Sequence, residues 1–292
     1  MRKISSHHGL TLLFLAGLII LTFLFRQKIP LWHSLLFRYF LWLAVIFVLQ
    51  LSSERKVAAK ITTFINGFSP LFFIILIYQS LGDLIQYLRP DIDPLLIQID
   101  HSLFGVHPTL WMEQWIVPWF TDIMSFSYIS YYFLPVILVV TLYLKNRGPE
   151  FDTAIFVLAF GYYVSFIGYI LFPAIGPRYT LTHLYSVPLE GITFLTDFVR
   201  DVLNALEGNK RDCMPSGHTQ IVLMVLFLAH RYEKVLFYLF LPVVCGLILS
   251  TVYLRYHYVI DLFAGAAIAV GSTIVAPSLY EWWNRQKVER GK

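Results

Sequence analysis

About eight blocks of apolar residues, each close to the length a helix needs to cross a bilayer, run through this sequence. They fall near Gly9–Phe25, Leu31–Leu51, Ile61–Leu81, Phe120–Leu144, Thr153–Pro173, His218–His230, Val235–Leu254 and Val259–Tyr280. Hydrocarbon offers no water to a backbone amide, so a segment of this length spans it as a helix with its N–H groups paired internally. Composition agrees, because 58% of the 292 residues are hydrophobic and only 14% are charged, where soluble domains carry about 45–50% and about 25%. The expected fold is all-α, a polytopic transmembrane bundle with about eight crossings. The block at His218–His230 is short and is expected to begin inside protein.

Met1-Arg2-Lys3 precedes the first block as it would a signal peptide, yet no small-x-small pattern stands before Arg26, so a retained helix is expected. Gly82–Trp119 mixes Asp, Pro, Trp and aliphatics and is expected to form amphipathic interfacial helices. Asp100–Gly105 and Ala174–Ser216 read as Gly/Pro-rich connections. Eight crossings put both termini on one side. That side collects Arg2, Lys3, Arg55, Lys56, Lys60, Lys145, Arg147, Arg231, Lys234, Arg285, Lys287, Arg290 and Lys292. The positive-inside rule then places the termini in the cytoplasm of a plasma or inner membrane, with the Gly/Pro-rich connections outside. Arg38 is expected to snorkel to the interface. The net charge of +4 is small, so no nucleic-acid partner is expected. Cys213 and Cys245 are too few for a disulfide framework or a Cys-rich metal site. No oligomeric state is implied.

Two of the nine histidines stand apart from the rest, which lie in connections, at helix ends or near a terminus. His218 closes Pro215-Ser216-Gly217-His218 at a helix start, where unpaired backbone N–H groups attract phosphate oxygens. Ser216 adds a hydroxyl donor, and Gly217 would let a ligand approach the backbone. His257 precedes Asp261 by four residues. On a helix these side chains share a face, so the carboxylate could accept from one ring nitrogen and leave the other as a free base. That arrangement suits covalent catalysis by an imidazole. Arg178, in Gly176-Pro177-Arg178, could hold two phosphate oxygens, and Lys210, Arg211 and Arg255 could add positive charge. Each element also has a plainer role open to it. The Pro-Ser-Gly could be a capping turn, His257 and Asp261 a polar pair joining helices, and Arg178 an interface anchor.

The combination resembles the type-2 phosphatidic acid phosphatase superfamily. Pro215-Ser216-Gly217-His218 matches that family's second motif, and His257 with Asp261 matches the end of its third. Two departures stand out: Arg178 follows Pro177 with no Lys just upstream, and Ser250-Thr251 stands where the third motif has Ser-Arg. One phosphate-binding arginine is therefore missing, with Arg255 the nearest substitute. These departures, the Tyr-Leu-x-x-His-Tyr-x-x-Asp spelling and the segment Asp100–Gly105 resemble the branch containing inositol phosphorylceramide synthases. The resemblance implies a six-helix core over residues 61–292, with residues 1–60 supplying two additional helices.

It also implies roles. His257 would attack phosphorus to form a phosphohistidine, with Asp261 supporting it, while His218 protonates the leaving oxygen and then activates the acceptor. Ser216, Gly217, Arg178 and Arg255 would bind phosphate, with no metal or other cofactor required. A lipid phosphatase or phosphotransferase acting on a lipid phosphate or prenyl diphosphate follows, with water or a hydroxyl as acceptor. A headgroup phosphotransferase of the inositol phosphorylceramide synthase type and a non-catalytic anion-binding transporter or scaffold are the alternatives. Asp91, Asp93 and Asp100 could contact a polyol or stay solvated.

Overall fold

The computed structural model describes residues 5–52, 59–206 and 208–289. Among them the chain is all-helical. Helices α1 (Ser6–Leu24), α2 (Trp32–Ser52) and α3 (Ala59–Ile85) lead. Then come α4 (Asp93–Phe104) and the single turn α5 (Pro108–Trp111), followed by the pair α6 (Pro118–Ile129) and α7 (Leu134–Leu144). The remainder are α8 (Gly148–Leu171), the short α9 (Pro177–Thr180), α10 (Leu195–Leu206), α11 (Gly217–Tyr232), α12 (Lys234–Tyr253) and α13 (Val259–Glu289).

Six of these helices are long and apolar enough to cross a membrane, and α6 with α7, bent by 48° at Phe133, makes a seventh. The bend follows from Pro135 at the start of α7, whose ring cannot continue the α6 hydrogen-bond ladder. The eighth expected crossing is α11, whose 16 residues fall short of a full span. Its buried side chains lie among α8, α12 and α13, in a core built from Ile155, Leu158, Ile221, Val225 and Leu247. Helix α1 packs on α2, α3 and α8, and Gly9 meets the Trp283 ring near the far end of α13. The start of α1 and the end of α13 therefore share one end of the bundle.

Several expectations change. Asp100–Phe104 is the last turn and more of α4, closed by Gly105 with φ 70°, rather than a connection. The stretch Ala174–Ser216 contains α10, which is amphipathic and packs on α6. Arg38 does not simply snorkel, since its guanidinium meets Asp83 at 2.5 Å and ties α2 to α3. His8, set aside in the sequence as a histidine near a terminus, is buried with Nε2 2.7 Å from the Ser69 hydroxyl. Arg2, Lys3, Arg55, Lys56, Arg290 and Lys292, which enter the orientation argument, lie outside the described residues.

Candidate active site

His257 does not sit on a helix. It occupies the five-residue turn between α12 and α13, so the shared-face argument for His257 and Asp261 fails. Both flanks of the turn are pinned by backbone chemistry. At its start, Arg255 adopts φ 67° while its N–H meets Val252 O at 3.0 Å and the Tyr256 N–H meets Thr251 O at 2.9 Å. This is a Schellman C-cap with arginine where glycine is usual. The Arg255 side chain is anchored to suit, with Nη2 2.8 Å from Glu113 Oε1 and 2.6 Å from Val187 O, above the Tyr185 ring. Arg255 is thus a partnered capping residue that lines the neighbouring cavity and not the one that holds the two histidines.

At the end of the turn, Asp100 of α4 accepts from the N–H groups of Val259 and Ile260 at 2.8 and 2.9 Å, capping α13 from another helix. Asp93, two turns earlier on α4, accepts from Ile175 N, Gly176 N and the Tyr258 hydroxyl. Burial pushes the Asp100 carboxyl up, against the pull of its two amide donors. Asp91 pairs with Arg211 through two contacts of 2.6 and 3.1 Å. All three aspartates therefore serve the scaffold rather than solvent or a polyol, and Arg211 is spent on Asp91.

Asp261 reaches back from the third position of α13 to accept the Tyr258 N–H at 3.0 Å, a capping-box contact. Its Oδ2 also takes the Cys213 thiol at 2.7 Å but lies 3.5 Å from His257 Nδ1. The closer partner of Nδ1 is the Cys213 carbonyl oxygen at 3.0 Å. A carbonyl only accepts, so Nδ1 carries the proton and Nε2 holds a lone pair. That lone pair faces His218 Nδ1 at 3.2 Å. The expected orienting carboxylate is thus a backbone carbonyl, with Asp261 holding the turn beside it.

The Pro215-Ser216-Gly217-His218 segment starts α11. Ser216 is its N-cap, accepting from Thr219 N at 3.2 Å, and its own N–H donates to Asp261 O, which joins the two motifs. Gly217 gives close approach to protein rather than to a ligand, since a Cβ there would lie 2.1 Å from the Tyr169 hydroxyl. By helix geometry the N–H groups of Gly217 and His218 have no intrahelical acceptor. His218 lies between the rings of Tyr128 and Tyr131, 4.6 and 4.3 Å away at the α6–α7 break. Tyr256 stacks on the far side of Tyr128, and the Arg178 guanidinium covers Tyr256 at 4.8 Å. Arg178 also donates to Asn204 Oδ1 at 3.0 Å. Gly176, at φ 88° with Tyr256 O 2.6 Å from where a Cβ would sit, admits only glycine on this approach.

His218, His257, Arg178, Cys213 and Asp212 line one cavity of about 40 Å³, room for on the order of three waters. Lys210 is not in its wall; its ammonium stands over the Tyr179 ring. Sequence reasoning missed Asp212, whose carboxylate accepts from the Tyr78 hydroxyl at 2.7 Å. Burial pushes this carboxyl above the usual range, with the Tyr78 bond and His257 pulling the other way. It also missed Tyr128 and Tyr131, for which the interruption of an apolar block by Tyr128-Ile-Ser-Tyr131-Tyr132 was the available signal. Cys213, His257 and Asp261 bring potential metal ligands within 4.8 Å of one another. The thiol and Nδ1 in that group are already engaged with protein oxygens, and burial with Asp261 raises the thiol further from ionisation.

A family model described as the PAP2 superfamily matches residues 94–275, from α4 into α13. A PA-phosphatase related-family protein of Dictyostelium discoideum is 27% identical over 172 residues, covering 51% of this chain and 31% of the relative. The chain thus spans about a third of that relative's length. No solved structure matches.

Proposed function

Because the chain belongs to the PAP2 superfamily, whose chemistry is of the phosphatase type, we propose that it is an integral membrane enzyme transferring phosphoryl groups from a lipid phosphate ester through a phosphohistidine on His257. The observation that carries this reading is the facing pair of His257 Nε2 and His218 Nδ1, 3.2 Å apart in a cavity that also holds Arg178. In the first step His257 Nε2 bonds to phosphorus as the bond to the leaving oxygen breaks. Burial, and His257 after it, lower the pKa of His218 before substrate binds, so its second proton has to come with the bound phosphate anion. His218 then hands its Nδ1 proton to that oxygen. In the second step water or an alcohol attacks the phosphohistidine and returns a proton to His218. Arg178 balances charge on the equatorial oxygens, and the α11 N-terminus adds the amide donors of Gly217 and His218.

A lipid substrate is supported by an apolar cavity of about 350 Å³ that shares His218 and Asp212 with the catalytic one. Its walls come from α3, the α6–α7 break and α8, so a hydrocarbon chain could lie there while its head reaches the histidines. The histidine pair lies at the end of the bundle away from the start of α1 and the end of α13. With the basic residues as counted from the sequence, that end faces the extracytoplasmic side. Residues 1–60 act as an accessory pair beside the phosphatase-like core.

The test is phosphate release and lipid conversion from a panel of lipid phosphates and prenyl diphosphates, with EDTA present, by purified protein and His257→Ala. Turnover by the wild type that the variant loses supports the reading. An anion-binding protein would bind the same lipids and convert none, and that result would sink it.

A further inference from the structure

Behind His257, on the side of the ring away from His218, three donor atoms converge. Cys213 Sγ stands 3.6 Å from His257 Nδ1 and 2.7 Å from Asp261 Oδ2, and Nδ1 lies 3.5 Å from that oxygen. In a tetrahedral zinc site, bonds of about 2.3 Å to sulfur and about 2.0–2.1 Å to nitrogen and oxygen put neighbouring donors about 3.3–3.6 Å apart. Two of the three spacings already have that size. The third is short because the thiol donates a hydrogen bond across it. Once that proton is gone, an opening of less than about 1 Å brings it to the same size.

A second observation marks the same place. Asp261 is fully buried, and its Oδ1 has no hydrogen-bond partner among the described residues. A buried carboxylate oxygen without a donor is costly, and a cation on that carboxylate removes the cost. The carbonyl oxygens of Cys213 and Tyr256, 3.0 Å from Nδ1 and 3.5 Å from Sγ, border the same space with further acceptors. Cys213 and His257 both line the catalytic cavity, so the group is reached from there. At rest the thiol and Nδ1 carry protons that satisfy protein oxygens, and a cation enters by displacing them. Magnesium and calcium seek several hard oxygens, whereas a thiolate, an imidazole and a carboxylate suit zinc.

We infer that Cys213, His257 and Asp261 form a Zn²⁺ site that switches the nucleophile off. Zinc bonds to Sγ, Nδ1 and Oδ2, and the thiol proton leaves to water. Thiolate and carboxylate together neutralise the ion. A neutral imidazole carries one proton, so with zinc on Nδ1 that proton moves to Nε2. Nε2 then holds a hydrogen in place of the lone pair that attacks phosphorus. The switch rests on His257 as nucleophile, whereas the metal site rests on the donor geometry alone.

The test titrates the full chain, purified without a histidine tag, with Co²⁺ as a spectroscopic substitute for Zn²⁺. Cys213 and Cys245 are the two cysteines, so in Cys245→Ser a thiolate-to-Co²⁺ charge-transfer band has one source. That variant should show the band, which Zn²⁺ should abolish and Mg²⁺ should not. Zn²⁺ binding to metal-free protein should release about one proton per ion. Cys213→Ser should lose the band and bind Zn²⁺ more than about 10-fold more weakly, since even outer partners of a metal ligand are worth that much. In wild type, Zn²⁺ should stop formation of the phosphoenzyme, and EDTA should restore it. Absence of the band in Cys245→Ser would overturn the site, whatever Zn²⁺ does to turnover. A band with phosphoenzyme formation undiminished by saturating Zn²⁺ would overturn the switch. A band in a protein that forms no phosphoenzyme from any lipid phosphate would support the site and remove His257 as nucleophile, and the switch with it.

Discussion

His218 Nδ1 and His257 Nε2 face each other at 3.2 Å, and the carbonyl of Cys213 behind His257 sets which of them donates. With the proton of His257 fixed on Nδ1, the hydrogen between the rings belongs to His218. The nucleophilic lone pair is therefore capped at rest by the group that acts as acid in the reaction. Substrate must part the two rings, and the small cavity between them agrees with a closed resting state.

The division of labour gives a leaving-group test. His218→Ala should slow turnover of an alkyl ester by 10²–10⁴-fold, the usual range for a lost general acid. A p-nitrophenyl ester needs little protonation to depart, so formation of the phosphoenzyme from it should recover at least about 10-fold in that variant. His257→Ala should recover nothing with either leaving group. Rapid-quench measurement of acid-labile phosphoenzyme distinguishes the two, and equal recovery in both variants would contradict the assigned roles.

Asp100 offers a test of positioning. It accepts two amide protons at the head of α13, and His257 lies two residues before the first of them. Asp100→Ala should cost about 1–2 kcal/mol, as lost N-caps do. It should also lower kcat by at least about 10-fold, because a nucleophile displaced by about 1 Å misses its in-line path. Asp100→Asn keeps one acceptor oxygen and should fall between. Thermal unfolding in detergent and kcat at saturating substrate check both effects. A stability loss with kcat unchanged would make Asp100 structural only.

The sequence made the membrane helices and the two histidines legible for physical reasons. Apolar length decides what can cross hydrocarbon, and the Pro-Ser-Gly-His string carries its own helix start. Partner identity was less legible because it depends on which helices meet. Arg255 looked like spare positive charge, yet its left-handed backbone and Glu113 make it a cap. Asp93 and Asp100 read as polyol contacts or solvated groups because α4 was not foreseen as a strut against the 174–176 and 257–260 segments, and Asp91 read the same way because its partner Arg211 lies 120 residues away. Asp212 was passed over beside a stronger motif, although it lies in the same cavity.

Asp212 should show the opposite balance to Asp100. Its folded pKa is raised by burial above the ordinary 3.8, so ionising it costs stability as pH climbs from that value through the folded pKa. Asp212→Asn removes the cost and leaves an oxygen for the Tyr78 hydroxyl. The variant should therefore unfold at a higher temperature than wild type at pH 7, with the gap closing below about pH 3.8. Activity on the preferred lipid should fall. Such a trade is expected where a buried charge is kept for function, and a destabilised variant at pH 7 would show that Asp212 serves folding instead.

Glu233 gives the mirror image at the other end of the bundle. It sits between α11 and α12, nearly buried, with Oε2 2.7 Å from Lys145 Nζ and Oε1 3.2 Å from Arg147 Nη1. The Lys145 hydrogen bond, helped by Arg147, holds its carboxyl below the usual 4.5. A depressed folded pKa contributes stability that is fully present above the unfolded value and is lost as pH falls through the folded one. Glu233→Gln should cost about 2 kcal/mol at pH 7, the scale of a charged hydrogen bond. The deficit should shrink on acidification below pH 4.5, where wild type loses the same ion pairs. Thermal unfolding of both proteins in one detergent across pH 3.5–7 checks the sign. A gap that widens toward acid would mean that the carboxylate is not what joins the α7–α8 and α11–α12 turns.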